Sequence, residues 1–282
     1  MTAGLDLAGK TVLITGVNSG LGQESARVLA MRGARILGAA RSTDKAAEAC
    51  RAFGRDAVPL ACELADPDSV RRCVASVRAL GIKLDVVLCN AGIMALPTRE
   101  LAHGQELQFL TNHIGHFILV TGLLDNLSDR GRVVMLSSTA HQRAPSSGIQ
   151  FDDLTFARGY RPWTVYGHSK LANLLFARSL AKRFAGSGRT ANAVHPGVIS
   201  TNLGRHLGLA MRIASPIADA IALKTIPQGA ATQCYVAARP ELASVNGEYF
   251  SHCNVATSTA AGRDIAMAER LWTVTEKIVA NL

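Results

Sequence analysis

Tyr166 and Lys170, in the run Tyr166-Gly167-His168-Ser169-Lys170, put a phenol and an ammonium four residues apart. On a helix that spacing places both on one face, one turn apart. A free tyrosine, with a pKa of about 10, is a poor proton donor or acceptor at neutral pH. A lysine cation held beside it favours the phenolate and lowers that value. A phenol so tuned can give a proton to a carbonyl oxygen or take one from an alcohol. The same pair also occurs on solvated helix faces, so the surrounding elements decide its meaning.

Those elements alternate. Residues 10–15 (KTVLIT) read as a short buried strand and run into Gly16-Val17-Asn18-Ser19-Gly20-Leu21-Gly22, followed by a helical stretch to about residue 32. Strand, glycine-rich turn and helix make the phosphate-binding corner of a dinucleotide fold. The glycines let the backbone approach a pyrophosphate, and the helix N-terminus offers N–H groups and a positive dipole end. Further strands are expected at 34–40, 57–62, 84–89, 132–137 and 189–194, and a last one at 247–250. Helices are expected at 44–53, from Pro67 with Asp66 as N-cap, at 103–127, from Tyr166 to about 184, and at 225–239. A polar loop fills 139–163. This pattern means an α/β fold, a single doubly wound domain over 1–282 with a parallel sheet of about seven strands and helices on both faces.

Composition agrees. The 282 residues are 48% hydrophobic, 18% charged and 5% aromatic, enough for a sizeable core of closely packed helices and strands. The net charge of +9 admits nucleic acid as a partner, but the basic residues are scattered. Arg71-Arg72 and Lys182-Arg183 fall on polar helix faces, so no nucleic-acid partner is expected. A basic chain also suits an anionic cofactor. Six cysteines without a C-x-x-C pair read as buried reduced thiols, and with no signal peptide or membrane span a cytoplasmic protein is expected.

The end of the second strand bears on the cofactor. An acidic residue there would hold the adenine-ribose 2′-hydroxyl and select NAD. The chain has Ala39-Ala40-Arg41-Ser42 instead. Arg41 can pair with a 2′-phosphate through its planar fork, so NADP(H) is expected over NAD(H). Against this, the glycine loop carries no basic residue to help hold that phosphate.

With these residues assembled, the chain resembles the short-chain dehydrogenase/reductase family over about residues 8–251, and within it the retinol dehydrogenase, WW-domain oxidoreductase and Tic32-like group. The resemblance rests on Thr15 to Gly22, on Asn90-Ala91-Gly92, on Asn112 in Thr111-Asn112-His113-Ile114-Gly115-His116-Phe117, on Ser138 and Ser137 ahead of Ala140-His141, on Tyr166 to Lys170, on Pro196-Gly197-Val198-Ile199-Ser200-Thr201, and on Gln228 to Thr232. It implies a catalytic set of Asn112, Ser138, Tyr166 and Lys170. Tyr166 would be acid in reduction and base in oxidation. Lys170 would bind the nicotinamide ribose and lower the Tyr166 pKa. Ser138 would donate to the substrate oxygen, and Asn112 would hold a water relaying protons from Lys170. Gly16, Asn18, Ser19, Gly20, Leu21 and Gly22 would cradle the pyrophosphate, Asn90, Ala91 and Gly92 would pass the adenosine ribose, and Pro196, Gly197, Ile199 and Thr201 would hold the carboxamide. Glu63-Leu64 stands where the family has Asp and a hydrophobic residue against adenine; the longer Glu63 can still accept from the adenine amine. Cys89 replaces a common Asn, with little effect expected.

The run from Ser138 to Tyr166 is longer than in compact family members. Its extra residues, 143–162, would form a loop over the site and leave the homodimer or homotetramer open. His113 and His116 suggest a metal pair, but no third ligand has suitable spacing and no metal is expected. His168 is turned away from the Tyr166–Lys170 face, and His195 ends a strand. The strongly apolar residues 207–226 read as part of a substrate cover at 202–226, with core helix and membrane-surface contact as competing readings. The resulting expectation is NADP(H)-dependent interconversion of a carbonyl and an alcohol on a lipophilic small molecule. The alternatives are an NADP(H) sensor or scaffold without turnover, or reduction of a non-carbonyl double bond.

Overall fold

A computed structural model of the chain describes residues 2–199 and 224–282. Its strands are β1 Thr11–Thr15, β2 Arg35–Ala40, β3 Val58–Ala61, β4 Leu84–Cys89, β5 Leu101–Ala102, β6 Gln105–Glu106, β7 Leu127–Leu136, β8 Thr190–His195, β9 Tyr249–Ser251 and β10 Asn254–Val255. Its α-helices among the described residues are α1 Gly20–Ala30, α2 Thr43–Cys50, α3 Pro67–Ala79, α4 Leu107–Phe109, α5 Gly115–Gly122, α6 Pro162–Arg183, α7 Ile226–Ala238, α8 Ala260–Arg263 and α9 Ile265–Ala280.

All five residues of β1 and all six of β8 are buried, as strands covered on both faces must be. The main sheet runs β10-β9-β8-β7-β4-β1-β2-β3. Seven of these strands are parallel, and the two-residue β10 turns back antiparallel on β9. One core lies on each face. Phe109, Phe117, Phe176 and Trp272 belong to the first; Leu29, Phe53, Cys234 and Phe250 belong to the second. The chain leaves β1 toward β2 on one side and β4 on the other, which makes the crevice beyond the C-terminal ends of β1 and β4 the ligand position of a doubly wound sheet.

The helix expected over 103–127 is broken. His103 and Gly104 both take positive φ, 50° and 72°, and form the two-residue turn of the β5–β6 hairpin, in which Leu101 pairs with Glu106. The buried Glu106 carboxylate then accepts from Phe109 N at 2.7 Å and caps the helix that follows. Leu110–Ile114 is a π-turn, a device frequent at functional sites. The strand expected at 132–137 begins earlier, at Leu127, because Leu127 pairs with Leu84 across a register shift. The helix through Tyr166 and the one capped by Thr225 stand where expected, at Pro162–Arg183 and Ile226–Ala238. The expected substrate cover at 202–226 lies outside the described residues except for its last three. Residues 199 and 224, on either side of the stretch that is not described, pair as a β-bridge. No helix among the described residues is long and apolar enough to cross a membrane.

The chain beyond Phe250 holds a helix that the strand–helix alternation did not predict. In α9 the buried residues are Ala268, Leu271, Trp272 and Thr275, one stripe at helical spacing, and Asp264 caps it by accepting from Met267 N at 2.9 Å. Trp272 packs between Phe117 (4.9 Å between ring centres) and Phe176 (5.6 Å, stacked), with the Arg183 guanidinium 3.7 Å from its ring centre. Trp272→Ala is therefore expected to cost ~3–5 kcal/mol of unfolding free energy in a urea titration. A loss below ~1 kcal/mol would mean that α9 is not part of the core.

Candidate active site

Thr15, the last residue of β1, organises the glycine corner. Its Oγ1 accepts from Asn90 N at 2.9 Å and Ala91 N at 3.0 Å, and its carbonyl takes Asn90 Nδ2 at 2.9 Å. The next residue, Gly16, has φ 75°, which favours glycine, and donates to Ala39 O at 2.8 Å. The turn then rises through exposed Asn18 and Ser19 into α1, with Gly20 and Leu21 half-buried and Gly22 buried. A Cβ on Gly22 would run into the Gly16 carbonyl, so only glycine lets the loop fold back on itself. This cradle, open toward N–H groups at a helix start, fits the pyrophosphate of a dinucleotide. Arg41 follows β2 directly and is exposed, two residues beyond the Ala39 carbonyl that Gly16 and Val17 both bond. Glu63 is half-buried, and its Oε1 accepts from Ala65 N at 3.2 Å. Leu64 is buried against Gly115, where a Cβ would strike the Leu64 carbonyl.

The four residues of the expected catalytic set converge beyond β4 and β7. Tyr166 and Lys170 lie on α6 with 5% and 3% of their surface exposed. Gly167, between them, lets α6 press on the turn after β7: a Cβ there would strike the Ala140 carbonyl. Ser138 starts that turn, and its Oγ accepts from Ala140 N at 3.1 Å, which leaves the hydroxyl hydrogen free for another acceptor. The Ser138 side chain lies near enough to the Tyr166 phenol to favour its ionised form. Lys170 Nζ donates to Leu136 O at 3.0 Å and lies 5.7 Å from the Tyr166 ring centre. Asn112 sits in the π-turn. Its Oδ1 accepts from Ile93 N at 2.8 Å, and its Nδ2 donates to Ile93 O and to Ser169 Oγ, both at 2.9 Å. A Cβ on Gly92 would come within 2.8 Å of Asn112 Oδ1 and 3.5 Å of Lys170 Nζ, so these groups border one space.

The electrostatics differ from the expectation drawn from spacing. Burial pushes the Tyr166 phenol up to about 12, and the neighbouring Ser138 side chain only partly opposes this. Burial likewise lowers the Lys170 ammonium to about 8. Desolvation outweighs the attraction between the two, because the ammonium is directed at the Leu136 carbonyl. At neutral pH the phenol therefore holds its proton.

Pro196 is buried beyond β8, Gly197 has φ 102°, and Ile199 reaches the bridge with Lys224. Lys224 Nζ donates to Pro196 O at 3.4 Å. Thr201 lies outside the described residues. His113 and His116 do not share a ligand. His113 Nε2 meets Thr275 Oγ1 at 3.0 Å, while His116 bridges Thr15 Oγ1 at 3.0 Å and Asn112 O at 2.9 Å. His168 is buried and accepts from Gln150 N at 3.1 Å. Sequence reasoning did not single out Ser137, which donates to Lys170 O at 2.8 Å, or Asn173, which donates to Leu136 O at 3.1 Å. Both lie within the motifs that carry the resemblance, Ser137 next to Ser138 and Asn173 three residues after Lys170, but sequence reasoning gave neither a role. Trp163, one turn before Tyr166, presents an edge-on ring 6.1 Å from it and carries the Arg143 guanidinium 4.9 Å from its centre. The loop over 143–162 is tied down by Tyr160, which donates to Leu96 O at 2.8 Å, and by Arg99, which donates to Thr155 O at 2.7 Å.

A family profile described as enoyl-(acyl carrier protein) reductase matches residues 16–254. A Brassica napus protein named short-chain dehydrogenase TIC 32 B, chloroplastic, is 41% identical over 297 residues, covering 100% of this chain and 92% of that protein. Retinol dehydrogenase 12 of Mus musculus is 40% identical over 283 residues, covering 97% and 87%. Among solved structures, a short-chain dehydrogenase from Burkholderia cenocepacia in complex with NADP superposes with a TM-score of 0.70 at 27% identity, covering 86% of this chain and 96% of that one. Similarity of this extent, on a sheet with the glycine corner at its switch point, places the chain in the short-chain dehydrogenase/reductase family of oxidoreductases.

Proposed function

We propose that the protein is an NADP(H)-dependent enzyme that interconverts a carbonyl and an alcohol on a lipophilic small molecule. The observation that carries this reading is the pairing of a buried, protonated Tyr166 phenol with a Ser138 hydroxyl whose hydrogen is free. Two oxygen-bound protons brought to one space suit a carbonyl oxygen that gains negative charge as it is reduced. A nicotinamide cofactor, when bound, would supply the hydride. Tyr166 delivers its proton to the new alkoxide, and in the reverse direction takes it from the alcohol. Ser138 holds the oxygen in place. Lys170, charged at neutral pH, would bind the ribose hydroxyls of the cofactor and stabilise the phenolate left behind. Asn112 relays protons between Lys170 and solvent through a bound water, since both groups border Gly92.

The residues at the other end of the crevice fit the cofactor. Gly16, Asn18, Ser19, Gly20, Leu21 and Gly22 hold the pyrophosphate; Glu63, Leu64, Asn90, Ala91 and Gly92 line the adenosine; Pro196, Gly197, Ile199 and Thr201 hold the carboxamide. Arg41, exposed where an acid would select NAD, pairs with the 2′-phosphate. The solved relative bound to NADP supports a nicotinamide cofactor. A lipophilic substrate is supported by the half-buried Trp163, whose ring stands edge-on to Tyr166 at 6.1 Å between centres. The mouse relative's name, a retinol dehydrogenase, points the same way. Reduction of a carbon–carbon double bond is the second reading, favoured by the description of the matched profile. The two hydroxyls of Ser138 and Tyr166, side by side, favour the carbonyl.

Cofactor consumption across lipophilic aldehydes, ketones, alcohols and enoyl thioesters separates these readings. Turnover of aldehydes or ketones with NADPH is expected. Turnover confined to the enoyl members would move the assignment to double-bond reduction, and none at all with tight NADPH binding would leave a sensor. Tyr166→Phe is expected to lower kcat by about a thousandfold, within the range of general acid catalysis, while NADPH still binds; an unchanged kcat would sink the mechanism. Arg41→Ala should weaken NADPH by about tenfold or more, as loss of a charged hydrogen-bonded pair does, and leave NADH nearly unchanged. Equal losses for the two would show that Arg41 does not hold the 2′-phosphate.

A further inference from the structure

We propose that His141 and His195 are positioning residues that grip one peptide group, the one joining Ser138 to Thr139, and thereby aim the Ser138 hydroxyl. This rests on the reading of Ser138 given above. The Ser138 carbonyl accepts from the His141 ring at Nδ1, 2.6 Å away, in addition to the His141 backbone N–H at 3.0 Å. On the opposite side of the same peptide, the Thr139 N–H donates to His195 Nδ1 at 3.2 Å. The two rings come from different elements, His141 from the turn Thr139–Arg143 and His195 from the last position of β8. Each is itself held. His141 Nε2 accepts from Thr259 N at 3.4 Å, and its ring stands edge-on to Tyr249 at 5.1 Å between centres. His195 is fixed between β8 and buried Pro196.

The partners dictate the tautomers. Facing an N–H, His195 Nδ1 must be unprotonated and the ring hydrogen must sit on Nε2. Facing a carbonyl, His141 Nδ1 must carry the hydrogen, and its Nε2 is the acceptor. Both rings are therefore neutral, in keeping with their burial at 1% and 5% exposure, which lowers both pKa values and brings that of His195 to about 4. A peptide held at its oxygen and at its nitrogen cannot rotate. The extended Ser138 backbone (φ −165°, ψ 156°) is thus set from outside the residue. With Ala140 N already bonded to one lone pair of Ser138 Oγ, the hydroxyl hydrogen points elsewhere, and the Tyr166 phenol lies beside it. Misplacement of such a donor by about 1 Å is enough to cost on the order of a hundredfold in rate.

Asparagine and glutamine separate this role from packing. An Asn side chain presents its polar atoms at the reach of Nδ1; a Gln side chain presents them at the reach of Nε2. We expect His141→Asn and His195→Asn to keep kcat within about twofold of the parent, and His141→Gln and His195→Gln to lower it by about tenfold or more. The assay is steady-state reduction of the best aldehyde or ketone from the panel above. NADPH affinity, read by fluorescence titration, should stay unchanged in all four variants. In a Ser138→Ala background the Gln variants should cause no further loss, because the group they aim is gone. Equal kcat for Asn and Gln at both positions would overturn the proposal, as would losses that add to that of Ser138→Ala. Ser138→Ala at the parent rate would instead overturn the reading of Ser138, and no turnover by the parent would remove that reading and this one together. The four outcomes are distinct in the same assay.

Discussion

The carbonyl oxygen of Leu136, where β7 ends, fixes the geometry of the whole site. It has two lone pairs, and α6 supplies both donors: Lys170 Nζ at 3.0 Å and Asn173 Nδ2 at 3.1 Å. The return bond runs from Ser137 Oγ to the Lys170 carbonyl at 2.8 Å, while Ser137 N holds Val194 O on β8 at 2.9 Å. Strand, neighbouring strand and helix are thus joined around three consecutive residues, 136–138, of which the third carries the Ser138 hydroxyl. Burial explains why so many bonds are concentrated here. An ammonium with 3% exposure and, among the described residues, no carboxylate paired with it is costly to keep charged, and a backbone carbonyl dipole is the partner the fold provides.

The glycine corner is tied to that site by a second set of bonds. Thr15 Oγ1 accepts two backbone N–H groups from Asn90 and Ala91, so its own hydrogen must go to His116 Nε2. The other ring nitrogen then donates to the Asn112 carbonyl in the π-turn. A continuous run of hydrogen bonds therefore links the end of β1, the exit of β4 and the residue that borders Lys170. In a doubly wound sheet these are the two strands that diverge at the switch point. The cradle of the cofactor and the catalytic groups are held by the same joint.

Much of this was readable from spacing. The glycine corner, the helix that carries Tyr166 and Lys170, the helix over 225–239 and the parallel sheet follow local rules that tertiary contacts did not override, although the first of these helices begins four residues earlier, at Pro162, and Thr225 caps the second. The helix expected over 103–127 failed because hydrophobic period alone does not register a two-residue turn; His103-Gly104 was the signal, and it was passed over as helix. The α9 helix carried a cap and a clean apolar stripe, but it lies beyond the last strand, where alternation makes no demand. The direction of the Tyr166 shift was not legible at all. Spacing tells which charge is near, whereas desolvation depends on how deeply the helix is set, and here depth dominates. Contacts such as Ser137 to Lys170, 33 positions apart, likewise become visible only when strand and helix have been brought together.

The buried histidines show what burial does with a group that two motifs appeared to offer for metal binding or catalysis. His113, His116 and His168 are driven down to about 3, 4 and 3 by desolvation, and His195 to about 4. A neutral imidazole is a donor at one nitrogen and an acceptor at the other, in a rigid ring. That makes it suited to bridging backbone groups that point in opposite senses, as His116 does between a threonine hydroxyl and a carbonyl. For His116, His168 and His195, protonation would turn the acceptor nitrogen into a donor facing an N–H or O–H, so the network opposes the charge as the low dielectric does. These buried histidines serve as fixed struts rather than as titrating groups.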